Sequence, residues 1–155
     1  MKSRNLHLWH PFTQEGMDPP PLHVRRGEGV FLETQDGRRI LDAISSWWVN
    51  LHGHSHPAIA AAIAEQAARL EHVLFAGFSH EPAEELAARL GKIVPAPLSH
   101  IFFSDDGSTA VEVALKLAIQ YWSNRGRSEK RRIVALENAY HGDTVGAMSV
   151  SDDSP

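Results

Sequence analysis

Two short runs in this chain combine residue types that can do chemistry. In "FFSDDGST" (residues 102–109) an apolar stretch passes through Asp105 and Asp106 to Gly107, Ser108 and Thr109, and a helical pattern follows. A helix start leaves backbone N–H groups unpaired and carries partial positive charge, so it can hold an anion, most often a phosphate. Gly107 would let the backbone come close to such an anion, and Ser108 and Thr109 would add hydroxyl donors. The same residues also read as a plain helix cap, with Ser108 or Thr109 capping and Gly107 making the turn. The second run is "NAYHGDT" (residues 138–144), where Tyr140 offers a flat ring and His141, Gly142 and Asp143 form a tight polar turn. Taken together the two runs point to a phosphorylated, planar ligand. Taken singly, Tyr140 is a partly buried core aromatic and Asp143 a turn or cap residue.

A third group is "LHGHSHP", with His52, His54 and His56 at alternate positions. Imidazole is a common zinc ligand. Alternate residues share a face only on a strand, however, and Gly53 and Pro57 predict a turn leading into a helix. No carboxylate or thiolate completes a ligand spacing, so no metal site is assigned. His10, His23, His72, His80 and His100 are scattered and take no role.

The elements that must position these groups follow from periodicity. The first thirty residues hold four of the nine prolines and read as an extended arm. "GVFLETQDGRRILDAIS" has two strand-like runs around Asp36-Gly37, a strong hairpin signal. From Pro57, which suits a first helical position, Ile59, Ile63, Ala67, Leu70 and Leu74 fall on one helical face. A second helix is predicted near Glu81-Pro82, burying Leu86, Leu90 and Ile93 and ending before Pro95. "SHIFFS" reads as a short buried strand, followed by a helix with the stripe Val111, Ala114, Leu115, Ala118 and Trp122. "RRIVALEN" reads as the next strand, reached by the charged turn "SNRGRSEKRR". Strand, helix and strand make a βαβ unit and hence a parallel sheet. Ligands sit beyond the carboxyl ends of such strands, where both candidate runs would fall.

Composition sets the outer limits. A chain of 155 residues suffices for one modest domain with a core. Its 43% hydrophobic and 22% charged residues are ordinary for a globular protein, and a net charge of −4 gives no support to a nucleic-acid partner. The absence of cysteine excludes disulfides and thiolate zinc sites. No apolar run reaches membrane-spanning length, and "MKSRNLHLWHPF" lacks a signal-peptide core, so the expectation is a cytoplasmic protein without a membrane partner.

"DDGSTAVEVALKLAIQYW" and "ENAYHGDTVGAMSV" resemble the class III aminotransferases, fold-type I enzymes that use pyridoxal 5′-phosphate. "LWHPFTQ" and "ISSWWVNLHGHSHP" narrow the resemblance to the branch that serves biotin biosynthesis. The four motifs extend it over nearly the whole chain. The resemblance implies an α/β fold, with residues 1–45 an arm and hairpin of a small domain and 46–155 the first part of a large, cofactor-binding domain with a parallel-sheet core. It assigns Gly107 and Ser108 to the cofactor phosphate and Tyr140 to the cofactor ring, with His141 and Gly142 completing the turn. It assigns Trp47 to the substrate, with Trp48 packed beneath it, although a core tryptophan remains the other reading of Trp47. Asp143 matches an acidic position beside Tyr140 that supports the site, and both residues are placed at the substrate. Phe12 stands where many family members carry tyrosine; it keeps a ring against the substrate and loses a hydroxyl.

The implied reaction moves the amino group of S-adenosylmethionine to 8-amino-7-oxononanoate, giving 7,8-diaminononanoate, in a homodimer. Family members run far beyond Pro155, and the Schiff-base lysine belongs to that further part. Lys2, Lys92, Lys116 and Lys130 lie outside its context, so no catalytic residue is assigned in this chain. The expectation for the isolated chain is therefore an inactive, association-prone piece of an enzyme. The alternatives are another class III aminotransferase, acting on ornithine, an ω-amino acid or a diamine, and a non-catalytic binding module.

Overall fold

A computed structural model describes residues 7–14 and 16–152. Lys2 and the final three residues of "SDDSP" lie outside them. The chain divides between Ala76 and Gly77 into two compact units.

The first unit holds a three-stranded antiparallel meander, β1 (Val24–Glu28), β2 (Phe31–Thr34) and β3 (Arg39–Leu41), in the order β1-β2-β3. The expected hairpin is β2–β3. Gly37 takes a φ of +85°, which its missing Cβ permits, and Thr34 and Arg38 close the turn through Thr34 N–H to Arg38 C=O at 3.0 Å. Thr34 is buried and its Oγ1 accepts the Arg38 N–H at 3.1 Å, so the turn is fastened by one side chain. β1 corrects the reading of this region as part of an arm. Its sequence, VRRGE, has no apolar alternation. It pairs through backbone hydrogen bonds and an Arg25–Glu33 ion pair, with a register irregularity between Val24 and Arg26. A short turn, α1 (Ser45–Trp48), and the helix α2 (Pro57–Arg69) complete the unit. α2 starts at Pro57 as expected but ends before Leu70, which is extended, so Leu74 leaves the predicted stripe.

The second unit holds α3 (Glu81–Leu90), α4 (Gly107–Asn124) and α5 (Val145–Met148). α3 begins with Pro82 in its first turn and stops at Gly91, leaving Ile93 in the turn beyond it. Lys130 and Arg127 fold back over Trp122, at 3.8 and 5.3 Å from its ring, so cations cover the aromatic end of α4.

Two expectations are corrected here. Residues 101–103 and 133–136 are not strands, and no ladder hydrogen bond joins them among the described residues. Apolar β-formers favour an extended backbone, but a strand exists only where a neighbour accepts its N–H and C=O groups. The predicted core is also nearly missing. Among the described residues the buried apolar side chains are Ala147 and Val150, while Ile63 in α2 and Leu86 in α3 are 64% and 47% exposed. Helical periodicity creates an apolar face, but only an opposing layer buries it.

Candidate functional site

At the start of α4, the cap is Asp106. Its carboxylate accepts the Thr109 N–H at 2.8 Å, and Thr109 Oγ1 accepts the Asp106 N–H at 3.0 Å, a reciprocal capping box. This corrects the cap reading of Ser108 and Thr109. Ser108 caps nothing, Thr109 returns the bond at the third helical position, and Gly107 is the first helical residue rather than the turn. The N–H groups of Gly107 and Ser108 take no partner among the described residues, and nothing lies within 4 Å of where a Gly107 Cβ would stand. Two donors at the positive end of an 18-residue helix are therefore unspent and approachable.

The "NAYHGDT" run packs against this helix start. Asp143 N–H donates to Ser108 Oγ at 3.3 Å. Gly142 is buried with φ +114°, and a Cβ there would fall 1.9 Å from Ser108 Oγ. One turn along α4, Glu112 Oε1 accepts the Gly146 N–H at 2.6 Å, and an added Gly146 Cβ would fall 2.2 Å from Glu112 Oε2. Ser108 and Glu112, four residues apart on one helical face, thus grip the chain from 142 to 146. From the other side, Asn138 N–H donates to Asp152 Oδ2 at 2.6 Å and His141 N–H to Ser151 Oγ at 3.0 Å. The loop is bonded on both flanks.

Within it, Tyr140 OH donates to Asp143 Oδ2 at 3.0 Å, which fixes the ring while leaving it 68% exposed. That bond to Asp143, with lesser contributions from desolvation and the Asp143 charge, pushes the Tyr140 phenol above its ordinary value of 10.0. The Thr144 hydroxyl and then the Gly146 N–H hold the Glu112 carboxyl below its usual range. The structure therefore brings Ser108, Tyr140, Gly142 and Asp143 together beside Gly107. His141 contributes its backbone, and its side chain is exposed. Sequence reasoning missed Asp106, Glu112, Ser151 and Asp152. Asp106 was legible three residues before Thr109, and Glu112 one turn after Ser108.

In the first unit, Phe12 and Trp47 meet edge to face, with ring centroids 5.4 Å apart and planes at 78°. Trp48 does not pack beneath Trp47; it is 75% exposed. The reason is the backbone of α1. Ser45, Ser46, Trp47 and Trp48 have φ of +50°, +47°, +60° and +69°, a left-handed turn closed by Trp48 N–H to Ile44 C=O at 2.9 Å. Successive side chains on such a turn point apart. The conformation costs roughly 1–2 kcal/mol per non-glycine residue, so something must hold it.

His54 parts company with His52 and His56. Its Nε2 lies 2.7 Å from Asp42 Oδ2, while His52 and His56 meet edge to face at 6.2 Å. Among the described residues no group of three histidine, aspartate or glutamate side chains is placed to hold a metal.

Comparison with known proteins places the chain in a family. The class-III aminotransferase family model matches residues 12–155. The chain belongs to the class-III aminotransferases. An adenosylmethionine-8-amino-7-oxononanoate aminotransferase of Synechococcus elongatus is 62% identical over 148 residues, covering 96% of this chain and 35% of that protein. The crystal structure of the enzyme of that name from Methanocaldococcus jannaschii matches with a TM-score of 0.87 and 43% identity, over 94% of this chain and 34% of that one. An omega-transaminase of Pseudomonas jessenii, solved in complex with PMP, matches with a TM-score of 0.86 and 30% identity, over 93% of this chain and 32% of that one.

The chain thus spans about a third of the length of the proteins it matches. The fold-type I expectation is borne out at the level of the family. Class-III aminotransferases depend on pyridoxal phosphate, and the residues present fit that group: two unspent N–H donors, a hydroxyl, a glycine wall with no room for a Cβ and a ring held by one hydrogen bond. The unpaired segments 101–103 and 133–136 belong to a chain that still follows the family's course at a TM-score of 0.87.

Proposed function

We propose that this chain supplies the cofactor-phosphate cradle, the ring support and one substrate wall of an aminotransferase that moves the amino group of S-adenosylmethionine to 8-amino-7-oxononanoate. The observation that carries the reading is the meeting of Ser108 with Gly142 at the start of α4, with Tyr140 fixed in the same loop. The 62% identity to an enzyme of that name supports the choice of substrates.

In this reading the Gly107 and Ser108 N–H groups and the Ser108 hydroxyl hold the phosphate. The exposed face of Tyr140 takes the ring, and Asp143 keeps the phenol protonated and turned away from it. His141 and Gly142 shape the turn without a side chain in the cradle. Bound pyridoxal phosphate supplies the carbonyl that accepts the amino group and an electron-withdrawing ring. Trp47 and Phe12 form the wall against which the substrate lies. We assign residues 1–45 to a small domain and 46–155 to the first part of a large one, in a cytoplasmic homodimer. The isolated chain is inactive, because none of its lysines stands in the family's lysine context.

The test is an amino-donor screen on the complete enzyme that contains this chain. S-adenosylmethionine is expected to support amine transfer to 8-amino-7-oxononanoate, and ornithine, diamines and ω-amino acids to fail. The likeness to an omega-transaminase favours a second reading, and it wins if a diamine or ω-amino acid serves while S-adenosylmethionine does not.

A further inference from the structure

Asp42 follows directly on β3 and is tied to the meander by its own N–H, which donates to Val30 C=O at 2.9 Å. Its side chain is only 6% exposed, and both carboxylate oxygens are in use. Oδ1 accepts the Ser46 N–H at 3.0 Å, and Oδ2 accepts the Ser46 hydroxyl at 2.7 Å and faces His54 Nε2 at 2.7 Å. His54 is itself locked to the strands. It exchanges two backbone hydrogen bonds with Gly29, at 3.1 and 2.7 Å, and a Cβ at Gly27 would fall 2.7 Å from its own Cβ. Asp42 and His54 therefore form a fixed post beside the left-handed turn, and Ser46 is the residue of the turn that they grip.

Serine, histidine and aspartate are also the residues of a nucleophilic triad, and the geometry decides against that role. In a triad the imidazole stands between the other two and takes the serine proton. Here the carboxylate stands between them, and the Ser46 hydroxyl donates to Asp42 rather than to His54. The Ser46 hydroxyl meets no imidazole, so the cluster holds a backbone rather than activating an oxygen.

What it holds is the segment carrying Trp47. We propose that Asp42 is the positioning residue for Trp47, fixing the left-handed turn through Ser46 and braced by His54, so that the indole meets Phe12 and presents a set face to the substrate. The proposal rests on the reading of Trp47 as a substrate wall given above. Four consecutive positive φ values are disfavoured in an L-residue chain. A carboxylate that takes both donors of Ser46 supplies the restraint that the local sequence lacks. The same bonds hold the Asp42 carboxyl down to about 2, the Ser46 N–H first, then the Ser46 hydroxyl and His54.

The test compares Asp42→Asn, His54→Gln and Trp47→Phe, singly and combined, in the complete enzyme. Asp42→Asn keeps the shape but puts an NH2 group where the Oδ2 oxygen takes the Ser46 hydroxyl, so that charge-assisted bond is lost. It is expected to raise the substrate KM about tenfold, the loss of one hydrogen bond to a charged group, with cofactor affinity unchanged. His54→Gln keeps a donor for Asp42 and is expected to stay within about twofold of the parent. In the Trp47→Phe background, Asp42→Asn is expected to add nothing further, because the two act as one unit. Asp42→Asn that lowers cofactor affinity as much as it raises KM, or that adds its full effect to Trp47→Phe, overturns the proposal. If Asp42→Asn does not fold, Ser46→Ala in the same cycle decides, with non-additivity expected and additivity overturning the idea. Trp47→Phe without effect on KM sinks the substrate-wall reading itself, and that result is distinct from an inert Asp42→Asn beside an impaired Trp47→Phe.

Discussion

Ser108 and Gly142, 34 positions apart in the chain, are in such close contact that residue 142 has no room for a side chain. An added Cβ would lie 1.9 Å from Ser108 Oγ and 2.6 Å from Ser108 Cβ, and φ at Gly142 is +114°. Steric room and backbone conformation both demand glycine there. Gly142→Ala is expected to cost about 1–3 kcal/mol of stability and to weaken cofactor binding, because the loop must move off the helix start. Thermal melts and cofactor titration of the complete enzyme measure both. Ser108→Ala will not rescue the variant, since the clash with Ser108 Cβ remains.

Asp106 and Ser108 have separate tasks two residues apart, and their substitutions should separate cleanly. Asp106→Ala removes the cap and is expected to cost about 0.5–2 kcal/mol of stability. Ser108→Ala leaves the capping box intact and is expected to cost roughly 1.5–3 kcal/mol of cofactor affinity, as for a hydrogen bond to a charged group. Unchanged affinity in Ser108→Ala would reduce that residue to a packing partner of Gly142.

Tyr140 gives its hydroxyl to Asp143, and in the proposed site its ring to the cofactor. Tyr140→Phe keeps the ring and loses the bond to Asp143, so cofactor affinity should hold while substrate turnover falls. Tyr140→Ala should weaken cofactor binding as well. The raised phenol makes a pH prediction. A group that holds its proton more tightly in the folded state stabilises the fold below the unfolded value near 10, and that contribution disappears as pH rises through the folded value. Ultraviolet titration should show one tyrosine ionising late, and Tyr140→Phe should abolish that step.

Asp42 works in the opposite direction. Its folded value of about 2 lies below the ordinary 3.8, so its contribution is fully present above about 4 and is lost as pH falls toward 2. Tryptophan fluorescence of the complete enzyme should stay flat from neutrality to about pH 4 and change below it. Asp42→Asn should remove that acid transition, and an unaltered profile in the variant would assign it to other carboxylates.

Short-range features were legible in the sequence and long-range ones were not. The Asp36-Gly37 turn, the start of α2 at Pro57 and the start of α3 at Glu81-Pro82 were legible, because each depends on the dihedral preferences of two or three adjacent residues. Family membership was legible too, since it rests on residue types in four motifs rather than on contacts. β1 was not, because VRRGE has no alternation and pairs through its backbone. The cap of α4 was not singled out by the sequence although its Asp106–Thr109 pattern is local, because Asp105, Asp106, Ser108 and Thr109 all carry suitable side chains and only the backbone decides which one stands outside the helix.

By itself the sequence determined which residues could bind a phosphate, stack on a ring or wall a substrate, and where most helices start. Tertiary structure alone decided that Ser108 faces Gly142, that Asp42 takes Ser46 and His54, and that Ser45–Trp48 turn left-handed against their own preference. Among the described residues, 101–103 and 133–136 have no ladder partner and the helical stripes are largely exposed. Local signals act over a turn or two, through dihedral preference and nearby hydrogen bonds. A strand, a core or a braced turn depends on which distant groups arrive to take its donors and cover its apolar face, and a linear pattern carries no coordinates for those arrivals.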